Sequence, residues 1–292
     1  MNLVKYRWLF FILSGLVIIP GLISLIMFGV KPSIDFTGGS LLEITVDSDK
    51  TAEIETTVKE LYELSSFQQS GPKQYSIKGP ELPTDKEAAI IAAITSKFGA
   101  TEVLRFETIG PTLSKELVQK TFVAIGIVAV VIMTFIARQF KEWKYGICAI
   151  LAMLHDSLVL LGSFSLLGHF FNVEVDVLFV TAVLTTLSFS VHDTIVVYHR
   201  IREVKQKNSG KDTASILNTA VMGTITRSLN NSLTIILMLT ALSLLGGESI
   251  RWFAVALLIG AVTGTYSSTC TAVPLLYVWE EVARALRKRK TK

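Results

Sequence analysis

Charge is scarce in this chain. Asp, Glu, Lys and Arg make up 18% of its 292 residues, where ordinary soluble domains carry roughly 25%. Half of the residues are hydrophobic and the mean hydropathy is positive. That excludes an ordinary soluble globule and points to a polytopic α-helical membrane protein. Cysteine is nearly absent. Cys148 and Cys270 both fall in long apolar runs and the polar stretch 31–117 has none, so no disulfide framework holds that stretch together. The two read as small buried hydrophobes. Histidine is almost as sparse, at four residues. No HExxH pattern occurs, and His192 and His199 lie about two turns apart, too far to chelate one ion from a single helix. A metal site built from His155, Asp156, His192, Asp193 and His199, as in an intramembrane hydrolase, therefore has no supporting motif. No metal, cofactor or catalytic residue is assigned.

Long apolar sequence is what the chain has in abundance. A spanning helix needs about 20 mostly apolar residues, and six segments qualify, near 8–29, 119–137, 145–168, 175–198, 229–246 and 252–278. The expected organisation is a first transmembrane helix in 1–30, an extracytoplasmic domain in 31–117, helices two to six in 118–280 and a basic tail in 281–292. Lys5 and Arg7 precede span one. Arg138, Lys141 and Lys144 lie between spans two and three, and Arg200, Arg202, Lys205, Lys207 and Lys211 between four and five. Arg284, Arg287, Lys288, Arg289, Lys290 and Lys292 close the chain, whereas the link 169–174 has no Lys or Arg and that between spans five and six has only Arg251. Short basic loops stay cytoplasmic, so both termini are expected inside and 31–117 outside. The same rule accounts for the basic tail without nucleic acid as a partner. Span one is too long for a signal-peptide core and shows no small-residue cleavage site, so it is expected to remain as an anchor.

Within 31–117, residues 40–46 alternate as a strand does. Thr51 is a candidate N-cap for a helix to about Leu64, and short strands near 66–69 and 74–77 flank a Gly71-Pro72 turn. Thr84 is a candidate cap for a helix through Lys97, with Glu87 completing a capping box. Gly99 ends that helix and 101–108 reads as the last strand. The order βαββαβ is that of a small α+β ferredoxin-like sandwich. With no His, no Cys and acids spread along its helices, the domain fits a binding or force-bearing module better than an enzyme. Two junctions join it to the membrane, one containing Gly38 and Gly39, the other Gly110 and Pro111. They read either as ordinary turns or as hinges that couple the two parts.

Placing a carboxylate at the bilayer centre costs roughly 2.5–3.5 kcal/mol on insertion scales. Asp193 stands inside span four, in Ser190-Val191-His192-Asp193-Thr194-Ile195. An acid kept there commonly carries a proton or an ion; the alternative is a static interhelical ion pair. Arg227, at the start of span five, is placed to hold Asp193 charged until a proton arrives and to release it afterwards. An Arg at a cytoplasmic span end is equally what the topology rule expects. Asp156, beside His155 in span three, is a second relay group or a packing group, and Asp176 is expected to be solvated near the outer surface. Span five opens on Thr226-Arg227-Ser228-Leu229-Asn230-Asn231-Ser232, residues that bond across helices or line wet cavities. Ala256, Gly260, Gly264 and Ser268 form a small-residue stripe in span six. It lets another helix approach closely, either span four or a helix of another subunit.

These motifs together resemble the SecF subunits of the Sec protein translocase, in the SecD/SecF family of the resistance-nodulation-division superfamily. The resemblance rests on Asp35-Phe36-Thr37-Gly38-Gly39, Ile109-Gly110-Pro111, His155-Asp156, the run from Val191 to Glu203 and Arg227-Ser228. It implies a non-enzymatic auxiliary subunit in the cell membrane. Such a subunit works with a SecD partner and the Sec translocon channel, and uses the proton motive force to promote late translocation of unfolded secreted polypeptide. It also implies that Asp193 and Arg227 are the proton-pathway pair; Asp156 is a lesser candidate on the reading of the residues alone. The chain starts directly at the SecF-like first span, which reads as an unfused subunit. Two positions depart from the family pattern: His192 stands where Asn is common, and His199 where Asp is common. His192 places an imidazole next to Asp193, which is expected either to shift the operating pH or to extend the proton relay. The alternative function is a superfamily transporter that exports a lipid or small molecule by proton antiport; a non-conducting scaffold is a third reading.

Overall fold

The computed structural model describes residues 3–290 apart from Lys141, Ser209 and Lys211. Of the basic residues placed above, Lys141, Lys211 and Lys292 lie outside the described residues. The chain divides into two compact units, one of Met1–Lys31 with Ala124–Lys292 and one of Pro32–Val123.

Helix α1 (Arg7–Phe28) runs unbroken through Pro20. The sheet unit follows. Its first element was not anticipated: a single turn, α2 (Ile34–Thr37), whose cap Ser33 accepts the N–H of Asp35 at 3.2 Å and which stops at Gly38. Then come β1 (Gly39–Val46), α3 (Thr51–Leu61), β2 (Ser66–Gly71), β3 (Gln74–Gly79), α4 (Thr84–Phe98) and β4 (Thr101–Ile109). The sheet order is β2-β3-β1-β4 with every pairing antiparallel. Central β1 sends Leu42, Ile44 and Val46 to one face, by the two-residue period of a strand. There they meet Ile54 and Val58 of α3 and Ile90 and Ile94 of α4, each pair one helical turn apart.

Helix starts in this unit differ from the expectation. Thr51 and Thr84 are first helical residues rather than caps; Lys50 and Pro83 hold the cap positions and no side chain caps either helix. Pro83 has the fixed φ and extended ψ of a residue half outside a helix, and its carbonyl takes the N–H groups of Lys86 and Glu87. The Thr51 hydroxyl is spent on Gln69, at 3.1 Å.

Gly39 opens β1 with φ +117, and a Cβ there would run into the Gly79 carbonyl of the paired strand. Both the backbone angle and the space demand glycine. Gly39→Ala should therefore destabilise the sheet unit by about 2 kcal/mol. Amide hydrogen exchange on the full chain checks this: protection should fall in β1 and β3 and hold in the helical unit.

Helix α5 (Pro111–Gln139) starts on a proline, whose missing N–H costs nothing at a first helical position. The other helices are α6 (Trp143–Phe171), α7 (Val177–Lys207), α8 (Thr213–Met222), α9 (Ile225–Leu245), α10 (Glu248–Cys270) and α11 (Ala272–Lys290). Among the described residues six stretches are long and apolar enough to cross a membrane, the sixth running over α10 and α11. That last stretch was expected to be one helix. It breaks at Thr271 because Pro274 has no N–H for the Cys270 carbonyl and its ring crowds that group. Helix α8 was also missed; Asp212 caps it, and Ile216, Leu217, Ala220 and Val221 pack into the bundle core. That core joins Tyr145 and Ala149 of α6, Val197 and Tyr198 of α7, and Val273 and Leu276 of α11. Apolar residues also cover the outside, among them Ile12 and Leu16 on α1, Ile127 and Val131 on α5, and Leu233 and Leu237 on α9. Such surfaces suit acyl chains rather than water.

Candidate functional site

Helices α7 and α10 pack closely because α10 offers glycine where they touch. A Cβ at Gly260 would collide with the Thr186 side chain, and one at Gly264 would press on Phe189 and Ser190. Of the two partners considered for the small-residue stripe, α7, which is span four, lies against it. This approach brings the last turns of α10 beside the middle of α6 and α7.

Two carboxylates meet those turns. Asp193, midway along α7, is buried and accepts hydrogen bonds on Oδ2 from the hydroxyls of Ser228 (2.5 Å) and Ser268 (2.7 Å). Asp156, midway along α6, is 0% exposed. Its Oδ2 accepts from Ser267 at 2.7 Å, and its Oδ1 lies 2.8 Å from His155 Nδ1. Tyr266 Oη stands 3.3 Å from His155 Nε2. Consecutive residues of α10 therefore serve the two acids, Ser267 one and Ser268 the other. The helix break at Thr271 comes one turn later, and the Tyr198 hydroxyl donates to the Ala272 carbonyl just beyond it, at 3.0 Å. Broken helices at membrane depth are tolerated where protein or a polar cavity surrounds them.

Serine is a different partner from arginine. A hydroxyl donates to a carboxylate and accepts from a protonated acid, so both states of Asp193 can be satisfied in place. A polar seam runs along the same helix. The hydroxyls of Thr186, Ser190 and Thr194 on α7 and Ser232 on α9 are buried with no partner among the described residues. Buried hydroxyls ordinarily bond to protein or ordered water. From Thr186 to Asp193 the seam covers about 10 Å.

The other expected residues lie elsewhere. Arg227 is exposed and makes no ion pair with Asp193; its neighbour Ser228 reaches the acid instead. This corrects the direct clamp. Three residues after a helix start, the side chains at 227 and 228 diverge by about 100°, and only one faces inward. Arg227 lines a cleft with His199, Arg200, Glu203 and Gly223. His192 is exposed on α7, on a different side from buried Asp193. Asp176, expected to be solvated, caps α7 by accepting the Phe179 N–H at 2.7 Å. Cys148 is buried as expected, and Cys270 is only partly so. Within the sheet unit the two junctions are neighbours: Gly39 pairs with Ile109, and Gly38, at φ +75, sits against Ser114 and Pro111. Gly110 has free space around it. At one end of the bundle Lys144 binds Glu142 (2.6 Å) and Glu280 (2.8 Å). That ammonium group holds the Glu142 carboxyl below its ordinary range. Among the described residues no three His, Cys, Asp or Glu gather as a metal site requires.

A family model described as "Protein export membrane protein SecD/SecF, C-terminal" matches residues 89–282, and the "SecD/SecF GG Motif" matches residues 23–50. The protein translocase subunit SecF of Thermobaculum terrenum is 41% identical across 96% of this chain and 94% of its own length. This chain belongs to the SecD/SecF family. The SecF subunit of Anaerolinea thermophila is 39% identical, again over 96% of this chain and 94% of the relative. The crystal structure of SecDF from Thermus thermophilus, described as a translocon-associated membrane protein, superposes with a TM-score of 0.84 at 29% identity. It covers 96% of this chain, which spans 39% of that longer one. As a SecD/SecF protein with six long apolar helical stretches among the described residues, the chain is a multi-pass membrane protein. The family's glycine motif contains Gly38 and Gly39, whose backbone angles explain the residue choice.

The three serines that bond the acids, and Tyr266, which reaches His155, were not singled out from the sequence as partners. Ser228 stood inside a recognised motif and Ser268 in the small-residue stripe, but nothing in spacing alone pairs a serine with an acid on another helix. Ser267 and Tyr266 carried no signal at all.

Proposed function

We propose that this chain is the SecF-type subunit of a protein-export machine, in which Asp193 takes up and releases a proton and the change in helix packing is passed to the sheet unit. The observation that carries this reading is the surroundings of Asp193. It is a mid-helix carboxylate held by two hydroxyls and by no cation among the described residues. A static ion pair would hold the acid in one state; a serine pair does not. Ser190 and Thr186 supply a polar route along α7, and Asp156 with His155 forms a second titratable group joined to the first through Ser267 and Ser268. Arg227 acts from the adjoining cleft through its charge, and His192, facing outward, is left to tune rather than to relay.

The rest of the assignment follows the chain. The six apolar helices are transmembrane helices, with both termini cytoplasmic by the basic-loop rule, residues 31–117 extracytoplasmic and 281–292 a cytoplasmic tail. Strand order β2-β3-β1-β4 with a helix after the first and third strands is the arrangement of a ferredoxin-like sandwich. Gly38, Gly39, Gly110 and Pro111 form the coupling point where that domain meets the membrane helices. The partners are a SecD-like subunit, the Sec translocon channel, unfolded polypeptide in transit and membrane lipid, with no nucleic acid. The role is mechanical, with no covalent chemistry.

The test is complementation of SecF-depleted cells by the tagged full chain. A SecD-like subunit should co-purify, and export of a pulse-labelled secreted protein should be restored only while the proton gradient stands. Restoration that survives an uncoupler would overturn the proton reading, and restoration without any SecD-like partner would overturn the assembly.

A further inference from the structure

Of the four histidines only His155 is buried; His169, His192 and His199 are exposed. His155 stands midway along α6, 6% exposed, and both of its ring nitrogens have partners. Nδ1 lies 2.8 Å from Oδ1 of Asp156. Nε2 lies 3.3 Å from the Tyr266 hydroxyl, and the two rings meet edge to face. The other oxygen of Asp156 accepts from Ser267 at 2.7 Å. Tyr266 and Ser267 are consecutive on α10, so one turn of that helix touches the imidazole and the carboxylate together.

These partners decide where each hydrogen sits. A carboxylate beside Nδ1 selects the tautomer with its hydrogen on that nitrogen. Nε2 then presents a lone pair and takes the Tyr266 O–H. A further proton has three places to go. On Oδ1 it would set hydrogen against hydrogen at Nδ1. On Oδ2 it would turn Ser267 away and end the charge-assisted bonds to the anion. On Nε2 it keeps both of those bonds, and the imidazolium gains the carboxylate as its counter-ion. Only the Tyr266 hydroxyl has to turn, from donor to acceptor, which a hydroxyl is able to do. The buried pair passes from one negative charge to no net charge, so uptake removes an unbalanced charge at membrane depth rather than creating one.

We propose that His155 holds a second proton in the export cycle, with Asp156 as its counter-ion and Tyr266 as the residue that positions it. This assignment rests on the proton reading above and adds a station to it. Helices α1, α7, α10 and α11 pack against α6. Their groups that bear on the pair are Tyr266 and Cys270 of α10, whose charges act on each other, and Asp193 of α7, reached through Ser268. Helix α1 has no charged residue after Arg7, which pairs with Glu281, and Glu280 of α11 is taken by Lys144 at the end of the bundle.

The test is nitrogen NMR of the full chain in lipid nanodiscs, with isotope-labelled histidine and with the exposed His169, His192 and His199 replaced by Gln, so that one ring remains. At high pH that ring should carry a hydrogen on Nδ1 and none on Nε2. Lowering the pH should add one to Nε2 while Nδ1 keeps its own. In Tyr266→Phe the imidazolium N–H has no acceptor, so this protonation should need about tenfold more acid, as for one lost charge-assisted hydrogen bond. Gradient-dependent export, measured in vesicles that hold the otherwise unaltered Tyr266→Phe chain and a SecD-like partner, should shift its pH profile to lower pH by the same factor. Loss of packing alone would lower export equally at every pH. A ring with a single hydrogen at all pH values, or a Tyr266→Phe profile that overlays the parent's, would overturn the proposal. Asp156→Asn serves if Tyr266→Phe does not fold: without the counter-charge the ring should stay neutral throughout, and an imidazolium there would be equally fatal. Full export by Asp193→Asn would remove the carrier role of Asp193 and leave the NMR result for His155 as it stands, so the two failures are told apart.

Discussion

Asp193→Asn should leave the protein folded and bound to its SecD-like partner, yet reduce proton-dependent export to below a tenth of the parent's. The substitution keeps shape and removes titration. The amide oxygen still accepts from Ser228 and Ser268, which lie 2.5 and 2.7 Å from the carboxylate oxygen it replaces. No charge then has to be buried in the bundle, a burial that costs roughly 2.5–3.5 kcal/mol. Unfolding temperature in detergent should thus equal or exceed that of the parent. The informative pair of measurements is export of a reporter with and without a proton gradient, made beside thermal unfolding of the same preparation. A static packing role predicts the reverse: tolerance of the amide in export, since both hydrogen bonds survive. Full gradient-dependent export in Asp193→Asn would therefore remove the carrier role altogether.

Much of this was legible in the sequence because membrane helices obey strong, local rules. Length and apolarity alone picked out six stretches that, among the described residues, form helices long and apolar enough to cross a membrane. The strand and helix order of 31–117 followed from alternation and from Gly99, which ends α4 as read. Asp193 stood out because a lone acid in an apolar run has so few explanations. What escaped was decided by the facing of side chains across helices. Arg227 and Ser228 are adjacent in sequence, and the charged one attracted the pairing; the structure turns the serine inward and leaves the arginine in the cleft. Spacing within one helix says which residues share its face, but not which residue of another helix meets them. The break at Thr271 had a visible cause in Pro274, hidden by the high apolarity on both sides. Asp176 looked solvated because it lies at a span end, and that same position makes it the cap of α7.

The site is built on one shared element. Helix α10 reaches Asp156 through Ser267 and Asp193 through Ser268. A small rotation of its last turn cannot improve one bond without disturbing the other, since adjacent side chains are about 100° apart. The break at Thr271 separates that turn from α11. Two acids, two adjacent serines and a helix end thus make one compact element.

That element depends on α10 lying close to α7, and the closeness is tested most directly at Gly260. Gly260→Ala should destabilise the bundle by about 3 kcal/mol, at the upper end of overpacking costs, and abolish export. The added Cβ would fall under 3 Å from three atoms of Thr186, so the helices must part. Parting them at Gly260 also draws Ser268 away, because it lies two turns further along the same face. The reciprocal change supplies the control. Thr186 makes no hydrogen bond through its buried hydroxyl among the described residues, so Thr186→Gly loses little beyond packing and roughly 0.5 kcal/mol of helix propensity. Combined with Gly260→Ala, it moves the Cβ from one helix to the other and restores the close crossing. The double variant should therefore recover at least half of the stability lost in Gly260→Ala, measured by urea unfolding in mixed micelles. Costs that simply add would show that Gly260 and Thr186 do not oppose each other, and the close approach of α7 and α10 would cease to explain how Ser268 reaches Asp193.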